Sequence, residues 1–401
     1  MELIAPVGNW DMLVAAIEAG ADSVYFGVNC LNMRARARSF ELSELGKVVN
    51  FCHERNVKAY LTLNTIVYDD ELEKVSQIVS LAKSAGVDAI ICWDFSVIDE
   101  CIRFDVSFHI STQASVSNFS ALKKYVSMGA KAIVLARELS LEQIREIKKR
   151  VVAEKLDVKI ECFVHGAMCV AVSGRCFTSQ FLYGKSANRG ECLQPCRRSY
   201  LVRDVEEDKE LVLENKYVMS PKDLCTLEFV DKLFDVVDMF KIEGRNRSPE
   251  YVKYVTSAYR TVIDAYNKGE DLAALKKEKL DELEQVYNRK FHSGFYNGLP
   301  TNDDWTDVYG SAASVQKKYV GFVRNFYKQI NVAEVKLESF GLSVGDKVMV
   351  QGNRTGCKEF VVDSMQVDGS SVDSVEKGLR VGVKVPFIVR ENDKVFVLVE
   401  K

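Results

Sequence analysis

Short apolar runs rich in β-branched residues alternate with longer stretches whose apolar positions recur at helical spacing, from the N-terminus to about Gly244. The runs predict strands at 2–6, 23–27, 58–64, 89–93, 108–112, 132–136, 159–164 and 239–243. Eight strands alternating with helices is the count of a (β/α)8, TIM-like barrel. A small echo supports it: EAGAD precedes SVYFG, SAGVD precedes AIICW, and SMGAK precedes AIVLA. In each, a helix should end on a glycine able to take the left-handed conformation before the chain enters a buried parallel strand. An open doubly wound sheet is the competing architecture, because periodicity does not show closure.

In a barrel, polar residues at strand ends converge on one face. Here they are Asn9, Arg34, Arg36, Asn64, Asp94, Thr112, Gln113, Arg137, Glu138, His165, Glu243 and Arg245. Each has a plain alternative as a cap or ion pair. The connection from His165 to Asp238 is far longer than an ordinary βα loop, a length that points to function. Within it, Asp204–Asn215 reads as a hairpin or excursion and Ser220–Leu224 as a turn capping a helix that runs to Lys232. Ser248-Pro249-Glu250 opens a helix to about Asn267, and 271–289 reads as a charged helix with a solvated face. From Tyr319 the pattern becomes short alternating strands with Gly and Asn turns, a small all-β barrel. The expected units are therefore a barrel over 1–300 and a β unit over 315–401.

The 401 residues are 47% hydrophobic and carry a formal net charge of −3, so any nucleic-acid contact must be a local basic patch. Nothing resembles a leader or a membrane span, and a soluble, cytoplasmic protein is expected. Eleven cysteines without scaffold-like spacing favour reduced thiols or metal ligands over disulfides. Cys30, Cys52, Cys92, Cys101, Cys162 and Cys225 lie in or beside apolar runs and read as core residues; Cys357 suggests no role. The other four, Cys169, Cys176, Cys192 and Cys196, follow strand seven in the spacing C-x6-C-x15-C-x3-C. Structural zinc prefers tighter C-x2-C knuckles, iron–sulfur clusters accept looser spacing, and unligated thiols are the third reading. Arg175, Arg197 and Arg198 flank the cysteines and would offset a tetrathiolate's charge.

The stretch Glu161–Ser179, ECFVHGAMCVAVSGRCFTS, resembles the signature of peptidase family U32, the collagenase-like proteins. MELIAPVGN at the start, VYFG followed by Arg34–Phe40, Ser220–Leu224 and Lys241–Arg245 are similar to it as well, so the resemblance spans roughly residues 1–300. The C-terminal part is similar to the second, β-barrel domain of translation factors such as elongation factor Tu. Within the family that module favours the RNA-modifying branch over the short ubiquinone hydroxylases.

The resemblance implies an oxygen-independent hydroxylase that forms 5-hydroxyuridine at the tRNA wobble position. It also implies prephenate as hydroxyl source and an essential 4Fe-4S cluster on Cys169, Cys176, Cys192 and Cys196. On that reading Arg34, Arg137 and Arg245 are candidates for the carboxylates of prephenate. His165 is a candidate proton-transfer group, and Glu243, beside Arg245, a further candidate catalytic residue, with an Arg–Glu ion pair as the plain alternative. RNA contacts are expected from Arg197 and Arg198 beside the cluster, and from Lys317, Lys318, Arg324 and Lys328 among aromatics of the β unit. The partners are then the tRNA anticodon loop, prephenate and an electron donor the sequence does not name, with no membrane. Ribosomal cytidine or a ubiquinone precursor are alternative targets. A peptidase is the rival class, although no H-E-x-x-H helix or G-x-S-x-G elbow is present. A non-catalytic, cluster-bearing RNA-binding protein is the third.

Overall fold

The computed structural model describes residues 1–33, 39–172, 175–200, 202–203, 205–207, 210–211, 217 and 219–401. The apolar runs form β1 (Glu2–Pro6), β2 (Ser23–Phe26), β3 (Lys58–Leu63), β4 (Ala89–Cys92), β5 (Phe108–Ile110), β6 (Ala132–Val134) and β7 (Lys159–Ala167). The eighth barrel strand, β11 (Met239–Ile242), follows an insertion holding a hairpin, β8 (Val202–Arg203) and β9 (Glu210–Leu211), and a short strand, β10 (Asp223–Cys225). Successive barrel strands pair in parallel, and β11 pairs with both β7 and β1, which closes the ring. The open-sheet alternative is thereby excluded. Helices α1 (Trp10–Glu18), α2 (Leu45–His53), α3 (Leu72–Ala85), α4 (Phe95–Arg103), α5 (Phe119–Ser127) and α6 (Leu141–Ala153) fill the early connections. A short α7 (Thr178–Tyr183) sits in the cysteine-bearing loop, and α8 (Pro249–Asn267) and α9 (Ala273–Glu284) follow β11. Gly20, Gly86 and Gly129 take φ of 88°, 75° and 103°, as the echoed turns require.

The alternation inside each strand sorts two environments. Leu3, Val24, Leu61 and Ile90 face the helices and belong to the large outer core, whereas Ile4, Tyr25, Tyr60, Ile91 and Met239 pack inside the ring. β7 breaks the alternation. Phe163 pairs with Lys241 but His165 pairs with Ile242, so Val164 and His165 together oppose one residue of β11. This bulge reverses the phase, and His165 turns outward where Glu161 and Phe163 point in.

The segment Ser220–Lys232 is not the capped helix its sequence suggests. β10 runs antiparallel to the end of β7 and parallel to β12 (Phe291–His292), and a 3₁₀ turn over Leu227–Leu233 follows. Lys222 and Asp223 donate backbone N–H groups to the carbonyls of Asp304 (2.8 Å) and Lys290 (3.0 Å), so long-range pairing overrides the local cap signal. The charged helix is also shorter than expected, ending at Glu284, and Asn288 and Arg289 beyond it are buried. Part of the hairpin expected at Asp204–Asn215 lies outside the described residues, as do Arg34 and Arg36.

The C-terminal unit opens with β13 (Val315–Tyr327), β14 (Val332–Leu337), β16 (Lys347–Gly352), β17 (Gly356–Val361), β18 (Met365–Val367), β19 (Ser370–Val372), β21 (Arg380–Lys384) and β22 (Lys394–Glu400). They form an antiparallel sheet in the order β17-β16-β22-β13-β14-β21-β18-β19, with β15 (Leu342–Ser343) and β20 (Ser374–Val375) paired beside it. Their apolar residues make a core separate from the barrel's. The unit is seated on α1 and α8. Ala15 packs with Met349 and Cys357, and a Cβ added to Gly356 (φ 68°) would lie 2.7 Å from Val14. Glu18 pairs with Lys358 at 3.1 Å and Glu250 with Lys317 at 2.7 Å across the seam.

Candidate active site

The foot of the barrel interior is a saturated ionic cluster. Glu2 accepts from Tyr60 Oη at 2.5 Å, Lys58 Nζ at 2.9 Å and Lys159 Nζ at 3.1 Å. Burial raises its carboxyl, but the hydrogen bonds and two lysine charges outweigh that and bring its pKa down to about 2. One layer up, Lys241 Nζ lies 2.5 Å from Glu161 Oε1 and 4.2 Å over the Tyr25 ring. Burial works against both charges, raising Glu161 and lowering Lys241. Glu161 Oε2 faces His109 Nδ1 at 3.8 Å, neither atom makes a hydrogen bond, and burial lowers His109 to about 3, keeping it neutral.

Above this layer, at the C-terminal ends of the strands, opens a cavity of about 150 Å³. Arg137, Glu243 and Arg245 line it, together with Asn64, Thr112 and Gln113 from the expected ring. Asn9 and Asp94 serve instead as the caps of α1 and α4. Arg137 is the least satisfied group. One nitrogen donates to the Ala167 carbonyl at 3.0 Å, while Nε and Nη2 are buried with no partner among the described residues, and the guanidinium lies 4.7 Å over Phe163. Arg245 donates to Thr62 Oγ1 at 2.7 Å and Asn32 Oδ1 at 3.2 Å. Lys241 forms part of the cavity floor. Its signal in the sequence was a charged residue at an inward position of an otherwise apolar strand, as for Glu161.

Cys169, Cys192 and Cys196 line the same cavity. Burial raises the Cys196 thiol, Arg197 pulls it back, and Cys169, Cys192 and Cys176 each push it up again, so the four sulfurs share one field. These four are the residues that could hold a metal centre at the mouth. Among the described residues no three His, Cys, Asp or Glu side chains are gathered around a single ion position. Polar contacts brace the loop, and two of them reach its thiols: Thr178 Oγ1 lies 3.3 Å from Cys176 Sγ, and Ser179 Oγ 4.0 Å from Cys192 Sγ. Asn188 Oδ1 accepts from Cys176 N at 3.0 Å, and Ser179 Oγ accepts from Leu193 N at 3.0 Å. Arg189 bridges to Glu71 (2.8 Å) and to the Ile66 carbonyl, on the β3–α3 connection.

Two expectations need correcting. His165 is 1% exposed and does not line the mouth; its ring packs 5.5 to 5.9 Å from those of Phe291, Tyr259 and Tyr251, and burial lowers its pKa to about 3. The bulge in β7 is the cause. Arg197 is not a free RNA-facing cation: it donates to Ser220 Oγ (3.1 Å) and to the carbonyls of Pro221 (2.6 Å) and Met168, clamping the cysteine loop. Arg198 is exposed, 5.4 Å over Tyr183. Lys317 and Lys318 are successive on β13 and so face opposite sides. Lys317 pairs with Glu250, Lys318 sits over Phe340 at 5.8 Å, and Arg324 and Lys328 are exposed further along. These four cations do not form one patch.

A model of peptidase family U32 matches residues 8–306. Among related proteins, a collagenase of Porphyromonas gingivalis is 42% identical over 98% of this chain and 97% of its own length. The tRNA hydroxylation protein P1 of Bacillus subtilis is 34% identical over 95% of this chain and 90% of its own. A 23S rRNA 5-hydroxycytidine C2501 synthase of Escherichia coli is 38% identical over 73% of this chain but only 44% of its own. No helix among the described residues is long and apolar enough to cross a membrane.

Proposed function

Because the chain belongs to peptidase family U32, we propose that it is an RNA hydroxylase acting on tRNA, forming 5-hydroxyuridine at the wobble position with prephenate as hydroxyl source. The observation that carries the reading is the pair of unpartnered, buried N–H groups on Arg137, in a cavity wall shared with three cysteines. A buried guanidinium with open donors fits a carboxylate held by two parallel hydrogen bonds. Arg245, fixed by Thr62 and Asn32, is placed for a second carboxylate. Arg34 remains the third candidate.

Cys169, Cys176, Cys192 and Cys196 would hold a 4Fe-4S cluster, which when bound supplies the electron transfer a hydroxylation without oxygen needs. The looser spacing of the thiols favours a cluster over a lone zinc ion. The chain's own residues bind the co-substrate by Arg137 and Arg245, hold Lys241 against Glu161 at the cavity floor, and exclude water by closing the ring beneath it. A uracil ring must leave its stack to reach this depth, which costs least in a single-stranded loop. End-to-end similarity to the B. subtilis tRNA protein favours tRNA over ribosomal RNA, whose E. coli relative is more than twice the matched length. The collagenase-named relative raises proteolysis, but no histidine lines the cavity to activate a cysteine.

Mass spectrometry of tRNA nucleosides from a strain lacking the protein tests the reading, with loss of 5-hydroxyuridine expected. Unchanged tRNA with loss of a ribosomal hydroxycytidine would move the target to the ribosome. In purified enzyme, Arg137→Lys should raise KM for prephenate about 10- to 100-fold and leave RNA affinity unchanged. An unchanged KM would remove Arg137 from the co-substrate site.

A further inference from the structure

A second, larger hollow of about 1060 Å³ runs between the barrel and the β unit. The turn after β11 forms one wall, and the 351–354 and 390–394 turns form the other. Its lining carries six cations, Arg245, Arg247, Lys317, Arg354, Arg390 and Lys394, against three carboxylates, on a chain whose net charge is −3. One of those carboxylates, Asp393, is buried and occupied by Thr355 Oγ1 (2.5 Å) and Arg390 N (2.7 Å). Arg247 and Lys317 are also committed, to Asp223 and Glu250. Arg354, Arg390 and Lys394 differ: all three are exposed, and none forms an ion pair among the described residues.

Arg245 lines both this cleft and the mouth cavity, so the two hollows adjoin at one residue. The cleft also holds an aromatic platform, Tyr287, with Arg247 stacked 3.9 Å above its ring. We propose that the interunit cleft carries the sugar–phosphate backbone of the RNA strand whose base enters the mouth, with Arg354, Arg390 and Lys394 as phosphate contacts. The inference rests on the RNA reading above and names the surface that reading lacks. A concentrated, unpaired set of cations beside a ring is the usual design for single-stranded RNA. The mouth is small enough to take one base, whereas the cleft has room for a length of chain. Lys318 and Arg324 on β13, and Lys328 just beyond it, are then not the track.

The test is fluorescence anisotropy of the full-length protein with a labelled tRNA transcript across a salt series. Reversing Arg354, Arg390 and Lys394 together to Glu should weaken binding at least about tenfold near 0.1 M salt. It should also flatten the log–log salt slope by about 2, roughly 0.7 for each phosphate contact to a single strand. Reversing Lys318, Arg324 and Lys328 should change affinity less than about twofold, since cations away from the backbone make no such contact. If the first triple variant fails to fold, Arg354→Gln and Lys394→Gln singly should each flatten the slope by about 0.7. Wild-type binding that survives the cleft variants unchanged, or that falls with the β13 variants instead, overturns the cleft assignment alone. A wild-type protein with no affinity for tRNA overturns the RNA reading itself.

Discussion

The two ends of the barrel interior are built from similar residues and treated oppositely. At the foot, each oxygen of Glu2 has a donor, and two lysines and a tyrosine converge on a single carboxylate. At the mouth, Arg137 keeps two buried donors without acceptors, and thiols and cations share a cavity. Buried polar groups are costly when unmet. A saturated cluster therefore stabilises the fold, and an unsaturated one on the same scaffold marks where something else binds. Between them, the Glu161–Lys241 pair has one satisfied oxygen and one idle oxygen, and belongs partly to each end.

This contrast can be broken by experiment. The largest effect is expected at the mouth. Cys192→Ala should abolish RNA hydroxylation and shift the thermal midpoint by no more than about 2 °C. Full activity in that variant would detach the cysteines from the chemistry. In the middle layer, Lys241→Met strands a buried carboxylate and should cost about 3–5 kcal/mol in urea unfolding, and adding Glu161→Gln should restore much of that. Additive losses in the double variant would deny the pairing.

At the foot, the Glu2 pKa is depressed from 4.5 to about 2. Its contribution, up to about 3 kcal/mol, is complete above pH 4.5 and disappears as pH falls toward 2. Glu2→Gln should remove that contribution at neutral pH and flatten the acid limb of the stability profile; an unchanged acid limb would contradict the depressed pKa. The smallest effect is expected at His165. His165→Phe replaces one ring with another among three aromatic neighbours, and should alter stability by less than about 1.5 kcal/mol and kcat hardly at all. A tenfold fall in kcat would restore the histidine to the reaction.

The barrel was legible because a buried parallel strand must be apolar on both faces, and three of its approach turns need a glycine at positive φ. Arg137, Glu243, Arg245 and three of the cysteines were legible as mouth residues, since strand ends fix where they project. His165 was misread because one bulge reverses which way the later side chains point, and VHGA carries only a faint sign of it. Gly166 is its only local trace: at φ 110°, a Cβ there would sit 2.6 Å from the Glu243 carbonyl. Ser220–Lys232 was misread because Ser-Pro-Lys-Asp is a sound local start for a helix, and only distant strands could forbid it. Glu161 and Lys241 were visible as charges at inward positions and were passed over. The four cations failed as a group because Lys317 and Lys318, successive on β13, face opposite sides, and Arg324 and Lys328 lie further along.

The anchorage of the cysteine loop has a practical side. Asn188 and Ser179 brace it from within through oxygen and nitrogen, and the Arg189–Glu71 bridge ties it to the barrel. Whatever cargo the sulfurs carry, the berth is moored to the quay by other ropes. Loss of the cargo to oxidation or a chelator should leave the berth standing, so that repair is a matter of reloading in place rather than of remaking the protein.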